Sequence, residues 1–337
     1  MNAKTSKPNI YDVASRAGVS HQTVSRVLNN HPSVRANTRQ SVLDAMQHLG
    51  YVPNQAARAL VTARTKLIGI LAADTTLYGP AGGVNAMEVE ARRAGYVSLT
   101  CTINPDSDEE IRAGIEHLRQ LGVEGVIVIT THNRPAILAR QLLTSIPVVG
   151  IDAEFNPGEL SVEVDNVDAA ARATQHLISL GHRRILHISG PEPSFVARQR
   201  SLGYAQAMQA AGLEPLIVAG DWSSATGYRL GSVVDVGPAG VTAVFTANDH
   251  LALGLLKACR DRGLSVPAQL SVVGFDDIPE APYFEPPLTT MRQEFRAIGH
   301  QAMELLLARL AGIENLESTF IPLEFVLRQS TAPAPTQ

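Results

Sequence analysis

Two apolar rhythms divide the chain. Over the first fifty residues, apolar side chains recur three and four positions apart in three short bursts. Ile10, Val13, Ala14 and Ala17 make the first. Val24, Val27 and Leu28 make the second, and Val42, Leu43, Ala45, Met46 and Leu49 the third. That spacing gathers each set on one helix face and predicts helices over about 10–17, 21–29 and 36–49. Asn9 and Ser20 stand where N-caps belong, and Asp12 falls in the first turn of its helix. Gly18 and Gly50 supply left-handed turns that end the first and third helices. Arg35 stands where a small capping residue is expected, with Ser33 close by.

From Lys66 onward the rhythm changes. Continuous apolar runs appear at 67–73, 96–102, 124–130, 147–152, 183–190, 216–222, 242–249 and 271–277. Helical patterns separate them, near Gly83–Ala94 and over 109–122, 137–143, 171–181, 197–212 and 251–263. Strands apolar along their whole length are covered on both faces, which predicts parallel sheets flanked by helices. So many strands exceed one ordinary sheet, and two similar α/β lobes are expected. Sites in such folds lie beyond the carboxyl ends of the strands. Asp152, Asp221, Trp222, Asn248, Asp249, Asp276 and Asp277 occupy those ends.

Charge sharpens the division. The net charge is −4. Residues 1–66 carry nine basic and two acidic side chains, while the rest carries 19 basic and 30 acidic ones. A basic head on an acidic body suits a polyanionic partner, although charge alone also fits a head kept soluble by its surface. No apolar run is long enough to span a membrane, and the N-terminus lacks the apolar centre of a secretory signal. The two cysteines, Cys101 and Cys259, lie in apolar patterns and read as buried free thiols of a reducing cytoplasm. Enzyme signatures are missing. GPAGGVNA after the first run lacks the glycine order of a dinucleotide site, and neither a P-loop nor a G-x-S-x-G turn occurs. The ten histidines show no metal-ligand spacing. No enzyme activity, cofactor or metal is therefore expected.

Three short helices around one small core, the first two joined by a tight glycine turn, make a helix-turn-helix. His21, Gln22 and Arg26 share the face of the second helix opposite its apolar stripe. A glutamine can pair with an adenine edge and an arginine with a guanine edge in the major groove of double-stranded DNA. Ser20, Thr23, Ser25 and Asn29 suit phosphates, which fix position rather than sequence, and Tyr11 and Thr38 join them as expected phosphate contacts. Ser20 also reads as a plain cap and Arg26 as a solvated surface residue. Beyond Pro53, the pattern NQAARAL (54–60) is helical but under two turns long, and helices that short are marginal alone in water.

The stretch YDVASRAGVSHQTVSRVLNN resembles the DNA-binding head of the lactose/galactose repressor (LacI/GalR) family, and YVPNQAARALVTART (51–65) resembles its hinge. The likeness continues through ISGPEPSFVARQR (188–200), GDWS (220–223), TANDHLALG (246–254), SVVGFDD and PPLTTMRQEF (286–295), so it covers nearly the whole chain. It implies a helix-turn-helix domain over 1–50 and a hinge helix over 51–65. It also implies an effector-binding and dimerisation body over 66–332, like the type I periplasmic binding proteins. The chain would cross between lobes near 165, 293 and 324, leaving a tail over 333–337. By the same resemblance, two hinge helices of a dimer pair over the minor groove, with Asn54, Ala57 and Leu60 facing it and Leu60 as a wedge. The base-reading face carries His21 where a tyrosine is familiar. The chain's end, finishing in TAPAPTQ, has no apolar heptads, so a dimer is expected rather than a tetramer.

Sugars need polar groups around their hydroxyls and a flat apolar surface against the ring. Arg200, Asn248, Asp276 and Asp152 supply the first, and Trp222 and Phe295 the second. The resemblance places all six in the effector pocket and puts Tyr78 and Pro80 on its first-lobe wall. Val164 stands where a second aromatic residue is familiar. Other readings stay open: the acids at 276 and 277 as turn caps, Asn248 as a helix cap, Trp222 as core. The expected whole is a cytoplasmic, nucleoid-associated homodimeric repressor released from its operator by a small sugar, with a galactoside as first candidate. The alternatives are another sugar, a nucleobase corepressor, or a carbohydrate-binding protein that does not bind DNA.

Overall fold

The computed structural model describes residues 8–29, 31–52, 64–152, 159–237 and 239–335. The chain forms two compact units that divide between Thr65 and Lys66.

In the first unit, α1 spans Ile10–Ala17, α2 His21–Leu28 and α3 Ala36–Leu49. Asn9 closes a capping box on α1. Its Oδ1 accepts from the backbone of Tyr11 at 2.8 Å, and its own N–H donates to Asp12 Oδ2 at 2.8 Å. Gly18 and Gly50 take the left-handed conformation that stops α1 and α3. Arg35 makes no side-chain cap bond. Instead Arg39, one turn into α3, donates to the carbonyls of Val27 and His31, at 3.3 and 3.2 Å, and ties α3 to the end of α2. The core is Val13, Ala14, Val24, Val27, Val42 and Ala45. Leu43, expected inward, is 44% exposed. Residues 42, 45, 46 and 49 fill the i, i+3, i+4, i+7 stripe, and position 43 turns a further 100° away from it.

In the second unit the first lobe's sheet runs β11-β5-β4-β3-β1-β2 and the second lobe's runs β7-β6-β8-β9. The strands are β1 Leu67–Ala73, β2 Val97–Ile103, β3 Gly125–Ile129, β4 Val148–Ile151 and β5 Leu160–Val164. They continue with β6 Ile185–Ser189, β7 Leu216–Ala219, β8 Ala243–Thr246, β9 Ser271–Val273 and β11 Thr319–Ile321. All pairings in both sheets are parallel. The orders β2-β1-β3-β4 and β7-β6-β8-β9 are the same arrangement, so the lobes are alike, and each reverses direction beside its first strand. A small antiparallel pair, β10 Thr290–Arg292 with β12 Glu324–Val326, lies where the chain passes between lobes.

Helices cover the sheets: α4 Tyr78–Arg93, α5 Asp108–Gln120, α6 Asn133–Leu142, α7 Asn166–Ser179, α8 Phe195–Ala210, α9 Ser224–Val233, α10 Asp249–Asp261 and α11 Phe295–Leu310. Residues 330 and 332 bond to β9: Ser330 Oγ donates to the Val272 carbonyl at 2.6 Å, and the Ala332 amide donates to Ser271 Oγ at 3.0 Å. Helix α4 begins five residues before the expected Gly83. Leu77 offers no side-chain cap and the first turns are rich in glycine, so local propensity argues against helix there. Packing decides otherwise, because Gly82 and Gly83 let α4 lie close against Phe295 and Ile129. Cys259 is buried and Cys101 half-buried, both free. Cys101 lies on β2, an edge strand, which accounts for its partial exposure.

Candidate functional site

The strand ends of the two lobes converge on one cleft, where small-molecule sites of α/β folds lie. Tyr78, Pro80, Asp152, Arg200, Trp222, Asn248, Asp276 and Phe295 all line it. Tyr78 and Pro80 come from the start of α4, after β1. Asp152 follows β4, Trp222 follows β7, Asn248 follows β8, Asp276 follows β9, Arg200 lies on α8 and Phe295 opens α11.

Glycines seat the aromatic walls. A Cβ on Gly190 would lie 2.3 Å from the Trp222 ring, and one on Gly82 would lie 2.8 Å from Phe295. Trp222 also belongs to the second lobe's core, so it serves packing and cavity together. Tyr78 meets Phe295 edge-on, with centroids 5.5 Å apart at 77°. Such pairs prefer that geometry and hold each other's planes.

The polar end is built around Arg200, which is 4% exposed. Its Nε donates to Asn166 Oδ1 at 2.9 Å and one terminal nitrogen to the Ala247 carbonyl. That nitrogen also stands 3.6 Å from Asp276 Oδ1. The guanidinium carbon lies 3.7 Å from the Phe275 ring centre. Gln293 Nε2 donates to Asp276 Oδ1 at 2.7 Å. Burial pushes the Asp276 carboxyl up, against the pull of Arg200. Asp152 has φ 54°, and its Oδ1 accepts from the Val164 amide at 3.4 Å. Burial raises its carboxyl to about 6, opposed by the Val164 amide and Arg200.

Asn248 caps α10, its Oδ1 accepting from the Leu251 amide at 2.8 Å, while its Nδ2 donates to the Trp222 carbonyl at 3.0 Å. The other strand-end acids face elsewhere. Asp221 accepts from Ser223. Asp277 pairs with Arg292 and Arg328. Asp249 accepts from Thr290 Oγ1 at 2.6 Å and from the Ile278 amide at 2.9 Å.

Gln293, Thr130 and Thr131 also line the cavity, unforeseen in the sequence. Gln293 Oε1 and Thr131 Oγ1 are buried without a hydrogen-bond partner among the described residues. Buried polar atoms are costly when unpaired, so they mark places where a ligand's hydroxyls gain most. Gln293, a polar residue two positions before Phe295, was the available signal; Thr131 had none. Thr131 further joins the lobes, its carbonyl accepting from the Phe195 amide at 2.7 Å.

In the head, His21, Gln22 and Arg26 are all exposed on α2. Ser20 caps α2, its Oγ accepting from the Thr23 amide at 3.2 Å and lying 3.0 Å from Thr23 Oγ1. Asn29 terminates α2, Ser25 is half-buried on it, Thr38 is half-buried in the first turn of α3, and Tyr11 is 64% exposed on α1. Asn54, Ala57 and Leu60 lie outside the described residues. Among the described residues no helix is long and apolar enough to cross a membrane, and no cluster of three potential ligands suits a metal.

Residues 9–54 match the family described as bacterial regulatory proteins, lacI family, and residues 174–331 match a periplasmic binding protein-like domain. The lactose operon repressor of Escherichia coli (strain K12) is 32% identical over 332 residues, covering 97% of this chain and 92% of that protein. A solved lac repressor dimer bound to operator and the anti-inducer ONPF superposes with a TM-score of 0.87 at 31% identity, over 96% of this chain and 99% of that one. A complex of the transcriptional regulator CelR with cellobiose gives 0.69 at 29% identity, over 96% and 99%.

Proposed function

The chain belongs to the lacI family of DNA-binding transcriptional regulators, and on that premise we propose that it is a repressor released from its operator by a small sugar, a galactoside first among candidates. It acts as a homodimer, each head taking one half of a pseudo-palindromic site. His21, Gln22 and Arg26 read bases, while Tyr11, Ser20, Thr23, Ser25, Asn29 and Thr38 meet phosphates. Asn54, Ala57 and Leu60 form the minor-groove hinge.

The observation that carries the sugar reading is the make-up of the cavity. Trp222, Phe295 and Tyr78 give flat apolar surface, and Arg200, Asp276, Gln293, Asn248 and Asp152 give donors and acceptors around it. A pyranose has that division: hydroxyls around its rim and C–H groups on its faces. An axial hydroxyl leaves one face of galactose continuously apolar, which suits the Trp222 and Phe295 walls. The sugar shifts the equilibrium only through its unequal affinity for the DNA-competent and released states. Filling a cavity formed by both lobes gives it that inequality, and separation of the paired hinges completes the release.

A gel-shift titration of the full chain on its own upstream DNA, with and without galactosides, tests this. Retardation that galactosides relieve supports the proposal. Retardation relieved by a different sugar, or strengthened by a nucleobase, replaces the ligand and keeps the regulator. A chain that binds sugar but no DNA overturns the repressor reading.

A further inference from the structure

In the head, two exposed rings on neighbouring helices meet. Tyr11 is the second residue of α1 and His21 the first of α2, and their rings lie with centroids 5.2 Å apart at 44°. Both backbones are pinned. Asn9 caps the turn that carries Tyr11, and Ser20 caps the turn that carries His21. Both side chains are exposed, and neither belongs to the head's core. An exposed imidazole on a first helical turn is free to sample several rotamers, and a flat neighbour in contact removes part of that freedom before any partner arrives.

We propose that Tyr11 is a positioning residue for base reading. Its ring holds the His21 imidazole in the orientation that meets a base edge. The preference at that base pair then depends on Tyr11, which itself reads none. This rests on the reading of His21 as a base-facing residue. It differs from a phosphate role for the Tyr11 hydroxyl, because a phosphate contact sets affinity alike for every sequence. The ring contact makes orientation depend on the ring and not on the hydroxyl.

The test uses the full chain and a pool of randomised DNA duplexes. The best wild-type duplex is then titrated beside its single-base-pair variants, for wild type, Tyr11→Phe, Tyr11→Ala and His21→Ala. His21→Ala and Tyr11→Ala are expected to flatten the preference at the same base pair, from roughly tenfold to about twofold, leaving other pairs unchanged. Tyr11→Phe keeps that preference, whatever its effect on affinity. Circular dichroism of Tyr11→Ala matching wild type shows that the head is still folded.

The inference is overturned if Tyr11→Ala weakens every duplex equally, if Tyr11→Phe flattens the preference as much as Tyr11→Ala, or if His21→Ala changes no preference. A wild-type chain that enriches no sequence overturns the repressor reading, and this inference with it.

Discussion

Among the described residues, the head buries only Val13, Ala14, Val24, Val27, Val42 and Ala45, and every side chain assigned to DNA keeps some exposure. The body does the reverse. Arg200, Asn248, Asp276 and Gln293 line its cavity and are more than nine-tenths buried. The difference follows from the partners. A polyanion is met from outside by groups that stay hydrated until contact, and each costs the fold little. A small neutral ligand is recognised by groups already stripped of water, and these must be paired or else destabilise the fold. Mutations should therefore split. Polar changes in the body would cost stability and ligand together, whereas polar changes in the head would cost mainly DNA.

The sharpest break in that contrast is Arg200→Ala. It leaves Asp276 buried with Gln293 alone, and frees Asn166 Oδ1 and the Ala247 carbonyl of their donor. Losing one member of a buried pair costs about 3–5 kcal/mol. Urea denaturation should register that loss in the body, and calorimetry should find no sugar binding. A cost under about 1 kcal/mol would mean the pair is solvated.

Asp152→Asn comes next and has a pH signature. The folded carboxyl sits at about 6, against an ordinary 3.8, so the folded state holds this proton more tightly than the unfolded chain. The stability it contributes is complete below about 3.8 and is lost as pH rises through about 6. Asparagine does not ionise. The variant should gain on wild type by up to about 3 kcal/mol at pH 8 and by little at pH 4. Its sugar affinity should also lose the wild type's change across pH 5–7. Denaturation midpoints at the two pH values decide the matter; an equal gap at both would put Asp152 in water.

These two residues also mark how far the sequence can be read. Asp152 and Asp276 were legible because a parallel strand buried on both faces is a continuous apolar run, and its end is plain. That Asp221 and Asp277 turn away to Ser223, Arg292 and Arg328 was not legible, since it depends on partners brought from distant segments. Helix α4 shows the same limit. Its glycine-rich start defeats local propensity, and the reason it is helical, close packing under Phe295 and Ile129, is tertiary. Thr131 was invisible because its orphaned hydroxyl has meaning only once the lobes face each other. The head was the easier half. Its helices are short enough for caps to set their ends, and Leu43 departs from expectation because a residue next to the apolar stripe in sequence lies about 100° from it around the helix.

Val24→Ala probes the small core. Val24 is fully buried, and the head has five other buried apolar side chains among the described residues. Removing two methyl groups costs about 1–2 kcal/mol. The same change at Val244, also fully buried, has a larger core around it. In calorimetry Val24→Ala should lower a head transition and leave sugar binding in place, while Val244→Ala should lower the body transition. One merged transition that both variants shift equally would deny the head a stability of its own.

The smallest effect separates two duties of one hydroxyl. Ser20 Oγ accepts from the Thr23 amide and lies beside Thr23 Oγ1, so Ser20→Ala removes the α2 cap and costs the head about 1 kcal/mol. If Ser20 also meets a phosphate, DNA binding falls by more than that instability explains, but alanine confounds the two losses. Ser20→Asp separates them. Aspartate caps a helix as well as serine and its charge suits the N-terminus of α2, so the head should melt within a degree or two of wild type. Against a phosphate the same charge repels, and DNA affinity should drop at least tenfold, most steeply at low salt. An aspartate variant that holds DNA as well as wild type would show that Ser20 is a cap and nothing more, and the surface that meets the backbone would have to lie elsewhere on the head.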